Sequence, residues 1–342
     1  MASSKTDRRW KRWLGRAGNW VLDPSVVFSF DQNGFRRHAL FFDDPELKID
    51  MSGKVCVVTG ANSGIGYATS LGLAKRGAVV WMLCRSASRG EAARQKLIHA
   101  SGNEHIYLCC VDLSDLDRVQ DEQVFAEIPH IDVLVHNAGV LLEQRSISAQ
   151  GIEQTLATHL VGPFALTATL MPKMGRGSRV IWVSSGGMYT QKLNMRHLEE
   201  PPDPFDGVRA YAQVKRAMVI ASEHLAAAVE PCGITVHCMH PGWASTPGVK
   251  TSIPRFYRWT RSILRTPEQG ADTILWLAMS QAVIGQTGGF WFDRRRVTTH
   301  FLPSTRLTGS ERTQLWAALH RWAEIDPVVW SRVSERRQYG GA

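Results

Sequence analysis

Residues 54–66, Lys-Val-Cys-Val-Val-Thr-Gly-Ala-Asn-Ser-Gly-Ile-Gly, constrain this chain more than any other stretch. Val55, Cys56, Val57 and Val58 form a short apolar run rich in β-branched residues and closed by Gly60, which suits a strand buried on both faces of a parallel sheet. Gly60, Gly64 and Gly66, with Asn62, Ser63 and Ile65 among them, permit a sharp turn into a helix and let a dinucleotide diphosphate approach the first helical N–H groups. The spacing is G-x-x-x-G-x-G rather than the commoner G-x-G-x-x-G. Alone, it is equally compatible with an ordinary turn.

Strand and helix patterns then alternate. Apolar strand runs fall at 79–84, 105–111, 131–136, 179–184, 234–239 and 289–292, and helical patterns at 67–76, 88–100, 114–127, 150–171, 209–229 and 267–279. This predicts an α/β fold, a doubly wound parallel sheet of about seven strands with helices on both faces. A single domain is expected over 51–300, with extensions at 1–50 and 301–342. Ligands of such folds sit beyond the carboxyl ends of the strands.

Further signals fall at or near those ends. Arg85 follows the second strand, Asp112 and Leu113 the third, and Asn137, Ala138 and Gly139 the fourth. Ser184 and Ser185 end the fifth; Pro241 and Gly242, then Thr246, follow the sixth. Between them lies Tyr211-Ala-Gln-Val-Lys215, with the lysine one helical turn from the tyrosine on the same face. A phenol near pKa 10 is a poor base at neutral pH, and nearby positive charge stabilises its phenolate. In this order the set resembles the short-chain dehydrogenase/reductase family over about residues 51–300. Ser-Ser-Gly-Gly-Met (184–188), Gln-Lys-Leu-Asn (191–194), His-Pro-Gly-Trp-Ala (240–244) and Gln-Gly-Ala-Asp-Thr (269–273) narrow the likeness to one orphan branch of it.

The resemblance implies roles. Tyr211 would be the general acid in carbonyl reduction, and Lys215 would tune it and hold the nicotinamide ribose. Ser185 would fix the substrate oxygen; strand neighbours face opposite ways, so only one of Ser184 and Ser185 should point into the site, and the family pattern favours the second. The glycine turn would hold the diphosphate, Asp112 and Leu113 the adenine end, Asn137 to Gly139 the adenosine side, and Pro241, Gly242 and Thr246 the carboxamide end of the nicotinamide. For Asp112 a helix-capping role competes. Arg85 stands where an acidic residue would bond the free 2′-hydroxyl of NAD, and a guanidinium pairs with a 2′-phosphate, so NADP(H) is the expected cofactor. One position departs from the pattern: His159 replaces an asparagine that holds a proton-relay water. Its imidazole would hold that water, titrate, or serve as a satisfied core histidine.

The expected function is NADP(H)-dependent hydride transfer to or from a carbonyl or alcohol of an apolar substrate. Met188, Leu193, Pro201, Pro202 and Phe205 in the long gap between Ser185 and Tyr211 are read as either the roof of its pocket or a structural loop. The alternative is a non-catalytic NADP(H)-binding sensor or scaffold.

The net charge of +9 is accompanied by no nucleic-acid-binding motif, so no nucleic-acid partner is expected. Much of the excess lies at 8–21, where Trp10, Trp13, Leu14, Ala17, Trp20 and Val21 share one helical arc opposite Arg8, Arg9, Lys11, Arg12 and Arg16. That pattern suits peripheral membrane contact or docking on the chain's own domain. Phe28, Phe30, Phe35, Phe41 and Phe42 predict that residues 23–50 pack on the domain. No apolar run is long enough to cross a bilayer, and the six cysteines form no C-x-x-C pair, so a reducing, cytoplasmic location is expected. His237, Cys238 and His240 match no metal-site spacing, and no metal is expected. A helix at 310–323, capped by Ser310, is expected near the substrate mouth. Homo-oligomer formation through the helices at 150–171 and 209–229 is expected by analogy.

Overall fold

The computed structural model describes residues 29–42, 49–252 and 254–330; the basic segment 8–21 lies outside them. One sheet contains β1 (Val55–Thr59), β2 (Val79–Cys84), β3 (Ile106–Cys110), β4 (Ile131–His136), β5 (Met174–Val183), β6 (Thr235–Met239), β7 (Gly289–Phe292) and β8 (Arg295–Arg296). Their order is β3-β2-β1-β4-β5-β6-β7-β8. All pairs are parallel except β7 with β8. The sequence did not announce β8, because Asp293 and Arg294 make its turn with φ of 47° and 59° and no glycine marks the place.

The helices are α1 (Gln32–Ala39), α2 (Gly64–Ala74), α3 (Ala87–Ser101), α4 (Leu116–Gln120), α5 (Gly162–Leu170), α6 (Gly207–Val229), α7 (Pro267–Met279) and α8 (Gly309–Trp322). Alternate strand residues supply two cores. Val55, Val57, Leu134, Val180, Trp182 and Val236 pack beneath α4, α5, α6 and α8. Cys56, Val58, Val80, Met82, Val135 and Ile181 pack beneath α2, α3 and α7. Period-two alternation in strands apolar throughout produces this two-sided burial. The order of connection reverses between β1 and β4, so the ligand crevice opens at their carboxyl ends.

Several expected elements change shape. The helix read at 114–127 breaks because Asp121 ends α4 and caps the 3-10 turn Glu122–Phe125 by accepting from Gln123 N–H. The helix read at 150–171 begins at Gln154 and passes through a π turn, Ala157–Val161, before α5. The cap of α8 is Thr308, in a capping box with Glu311, rather than Ser310.

Helix α8 packs on α5 and α6 and reaches the gap segment through Glu311 to Lys192 at 3.0 Å and Arg321 to Glu199 at 2.7 Å. Trp316 and His320 pack on Phe164 of α5, His224 of α6 stacks on Trp316, and Arg312 pairs with Glu223 about three turns beyond Tyr211. It therefore covers part of the helix surface read as a pairing face. In the gap segment, Met188 and Leu193 are buried in the main core rather than lining an open pocket.

Candidate active site

Thr59, the last residue of β1, ties the glycine turn to the end of β4. Its hydroxyl accepts from Asn137 N–H at 2.9 Å and Ala138 N–H at 3.0 Å, and donates to the Val135 carbonyl. The Asn137 amide donates back to the Thr59 carbonyl at 3.0 Å. Gly60 takes φ +66°, and a Cβ there would lie 2.8 Å from Ala138 Cα; one at Gly66 would strike the Asn137 amide and the Gly60 carbonyl. These two glycines thus serve the chain's own close packing as well as any ligand. Ser63 occupies the N-cap of α2 but its side chain makes no capping bond. The first-turn N–H groups are left for an anion, which fits a diphosphate.

Beyond β5, strand alternation separates the two serines. Ser184 is buried and donates to the Lys215 carbonyl at 2.9 Å, while Ser185 lies beside the Tyr211 phenol. Ser185 also caps the turn Gly186–Thr190. Helix α6, capped by Asp206, carries Tyr211 and Lys215 inward. The Lys215 ammonium donates to the Val183 carbonyl at 2.7 Å and lies 5.5 Å from the centre of the Tyr211 ring. Burial pushes the phenol up to about 12, partly offset by Ser185, and pulls the ammonium down to about 7. At neutral pH the phenol holds its proton and is poised to give it.

His159 lies in the π turn, edge-on to Tyr211 with ring centres 5.2 Å apart. Its Nε2 meets both the N–H and the carbonyl of Val140, at 2.8 and 2.7 Å, and its ring fills the space a Cβ on Gly139 would need. Nδ1 is buried and has no hydrogen-bond partner among the described residues. Burial, then the charge of Lys215, hold its pKa well below the usual histidine value.

At the carboxyl end of β6, Gly242 takes φ +73°, and a Cβ there would lie 2.5 Å from Arg265 Nε and 2.7 Å from the Phe30 carbonyl. Arg265 is buried; it donates to the carbonyls of Ser29, Phe30, Asp31 and Pro241 and to both oxygens of Asp293, at 2.5 and 2.8 Å. His38 meets the same carboxylate at 2.5 Å. Burial disfavours the Asp293 anion, but Arg265 and His38 outweigh it and hold its pKa below the ordinary carboxylate value. The Phe30 ring, 3% exposed, packs on Gly186, next to Ser185, and on His240. Residues 29–42 are thus built into the site's wall. Thr246 begins the excursion beyond, its carbonyl accepting from Lys250 N–H.

At the opposite end, Asp112 Oδ1 accepts from the N–H and hydroxyl of Ser114, while Oδ2 is 3.8 Å from the exposed Arg85. Asp115, not Asp112, caps α4. Leu113 is buried, its carbonyl against Gly162. The Cys84 thiol lies against the N–H groups of Ala61 and Asn62. His237 accepts from Trp291 and His240 stacks on Phe292, so these side chains are engaged in separate contacts.

A family profile described as short chain dehydrogenase matches residues 54–255. The chain belongs to the short-chain dehydrogenase/reductase family. It is 39% identical over 300 residues to human dehydrogenase/reductase SDR family member 12, covering 86% of this chain and 94% of that one. It is 32% identical over 251 residues to human retinol dehydrogenase 11, covering 72% and 79%. The fold is shared with L-sorbose reductase from Gluconobacter frateurii, solved with NADPH and L-sorbose, at a TM-score of 0.59 and 24% identity, covering 75% of this chain and 99% of that one. Members of the family are oxidoreductases that act on CH–OH or carbonyl groups with a nicotinamide cofactor. No helix among the described residues is long and apolar enough to cross a membrane.

Sequence reasoning placed Phe30 against the domain but not at the site, and it missed Thr59, Arg265 and Asp293. Thr59 borders the glycine motif and was within reach of it, whereas the other three converge from distant segments and carry no local signature.

Proposed function

We propose that the chain is an NADP(H)-dependent oxidoreductase of an apolar carbonyl or alcohol, with Tyr211 as its proton donor and acceptor. The observation that carries this reading is one half-buried phenol set between Ser185 and the Lys215 ammonium. When bound, the cofactor supplies or receives the hydride. Ser185 orients the substrate oxygen, Tyr211 gives it a proton during reduction, and Lys215 stabilises the phenolate left behind. His159 positions Tyr211 and Val140. Gly60, Asn62, Ser63, Gly64, Ile65 and Gly66 would hold the diphosphate, Asp112, Leu113 and Asn137 to Gly139 the adenosine, and Pro241, Gly242 and Thr246 the carboxamide end. The name of retinol dehydrogenase 11 supports an apolar substrate. The experiment that tests the reaction is a screen of aldehydes and ketones in which loss of NADPH is followed with the full chain.

Arg85 favours the phosphorylated cofactor. Arg85→Ala is expected to raise KM for NADPH by roughly 10- to 100-fold, the worth of a charge-assisted hydrogen bond, with little change for NADH. Equal losses with both cofactors would remove Arg85 from this role.

The sign of the pH dependence follows from Lys215. Its depressed pKa of about 7 means that the ammonium is present below pH 7 and is lost as pH rises through that value, while the phenol keeps its proton to about 12. For reduction, kcat/KM should therefore be flat on the acid side and fall about tenfold per pH unit above the lysine pKa. A rate that rises through this range would contradict the assignment.

The competing sensor or scaffold reading is favoured by the bond of His159 to the Val140 backbone at the position of the relay asparagine. Carbonyl turnover that depends on Tyr211 excludes it.

A further inference from the structure

Between Thr246 and Leu264 the chain leaves the carboxyl end of the sheet and returns to its starting point. The base of this excursion is closed by Ser245 N–H to the Arg265 carbonyl and Arg265 N–H to the Trp243 carbonyl, both 2.8 Å. It carries two short helices, Pro247–Ser252 and Pro254–Thr260. From Pro231 to Pro267 there is no acidic residue, whereas Lys250, Arg255, Arg258 and Arg261 are all exposed. Among the described residues no ion pair holds Arg255, Arg258 or Arg261.

Trp259 projects from the same short helix with 85% of its surface exposed. Arg255, Arg258 and Trp259 follow i, i+3, i+4 spacing, so they share one face. An exposed indole in a cluster of guanidinium groups matches the boundary of an anionic bilayer, where the ring sits among headgroups and each cation meets lipid charge.

The N-terminal segment points to the same place. Gln32 N–H donates to the Ile263 carbonyl, and the Gln32 amide donates to the Ser262 carbonyl, both at the foot of the helix Pro254–Thr260. Ser29 is fixed beside it by Arg265.

We propose that the face bearing Arg255, Arg258, Trp259 and Arg261 docks on an anionic lipid surface, with the carboxyl end of the sheet turned toward the membrane. This docking is independent of the reaction proposed above. The test is co-sedimentation of the full chain with phosphatidylcholine vesicles, with and without phosphatidylserine, comparing the wild-type chain with Arg258→Glu and with Trp259→Ala. The two side chains are exposed, so unchanged melting curves verify that each variant folds. Binding to phosphatidylserine vesicles is expected, with a partition coefficient lowered at least about tenfold by Arg258→Glu and also lowered by Trp259→Ala. Binding energies of separate contacts add, so these reductions persist even where residues 8–21 also bind. Equal partitioning of variants and wild type, equal binding to vesicles without phosphatidylserine, or stronger binding to duplex DNA than to vesicles would overturn the proposal.

Discussion

Tyr211→Phe is expected to lower carbonyl turnover by about 10²- to 10⁴-fold, the usual contribution of one positioned proton donor, while NADPH binding stays nearly unchanged. The substitution removes one oxygen and keeps the ring, so the edge-on contact with His159 survives. Ser185 keeps its cap on the turn Gly186–Thr190. Paired measurements of kcat and of the NADPH dissociation constant separate chemistry from binding. Turnover equal to wild type would show that another group supplies the proton.

The second large effect concerns stability. Arg265→Ala is expected to cost about 3–5 kcal/mol, because it leaves the buried Asp293 carboxylate with only His38 and strips donors from several carbonyls. Arg265 also donates to the Pro241 carbonyl, and its guanidinium lies where a Cβ of Gly242 would be, so the variant should bind NADPH more weakly. Urea unfolding reads the first effect and cofactor titration the second. Replacing Arg265 and Asp293 together with apolar residues should recover part of the stability, since the cost lies in the stranded charge. A single-variant loss below about 1 kcal/mol would mean that the cluster is weakly coupled to the fold.

The parts of the site legible in sequence are those carried by local pattern. Strand apolarity located β2, β4 and β7 to the residue, and the one-turn spacing of Tyr211 and Lys215 put both on the inward face of α6. Alternation also anticipated that Ser184 and Ser185 would face opposite ways; Ser184 is spent on the Lys215 carbonyl, and Ser185 lies beside the phenol.

The illegible parts are long-range. Nothing near Arg265 announces Asp293, nor does anything near Phe30 announce Gly186, because these contacts exist only once the sheet brings its carboxyl ends together. The π turn around His159 was hidden for a related reason: helix periodicity reads the same on either side of a single-turn bulge. The position of α8 depends on which helix surface is left uncovered, and its own amphipathic pattern does not state that.

Monitoring reduced nicotinamide absorbance as the full chain meets a panel of apolar aldehydes and ketones tests the central claim most directly. At least one of them should be converted to its alcohol, one for each NADPH consumed. Tight NADPH binding with no oxidation across the panel would contradict an enzyme built on Ser185, Tyr211 and Lys215.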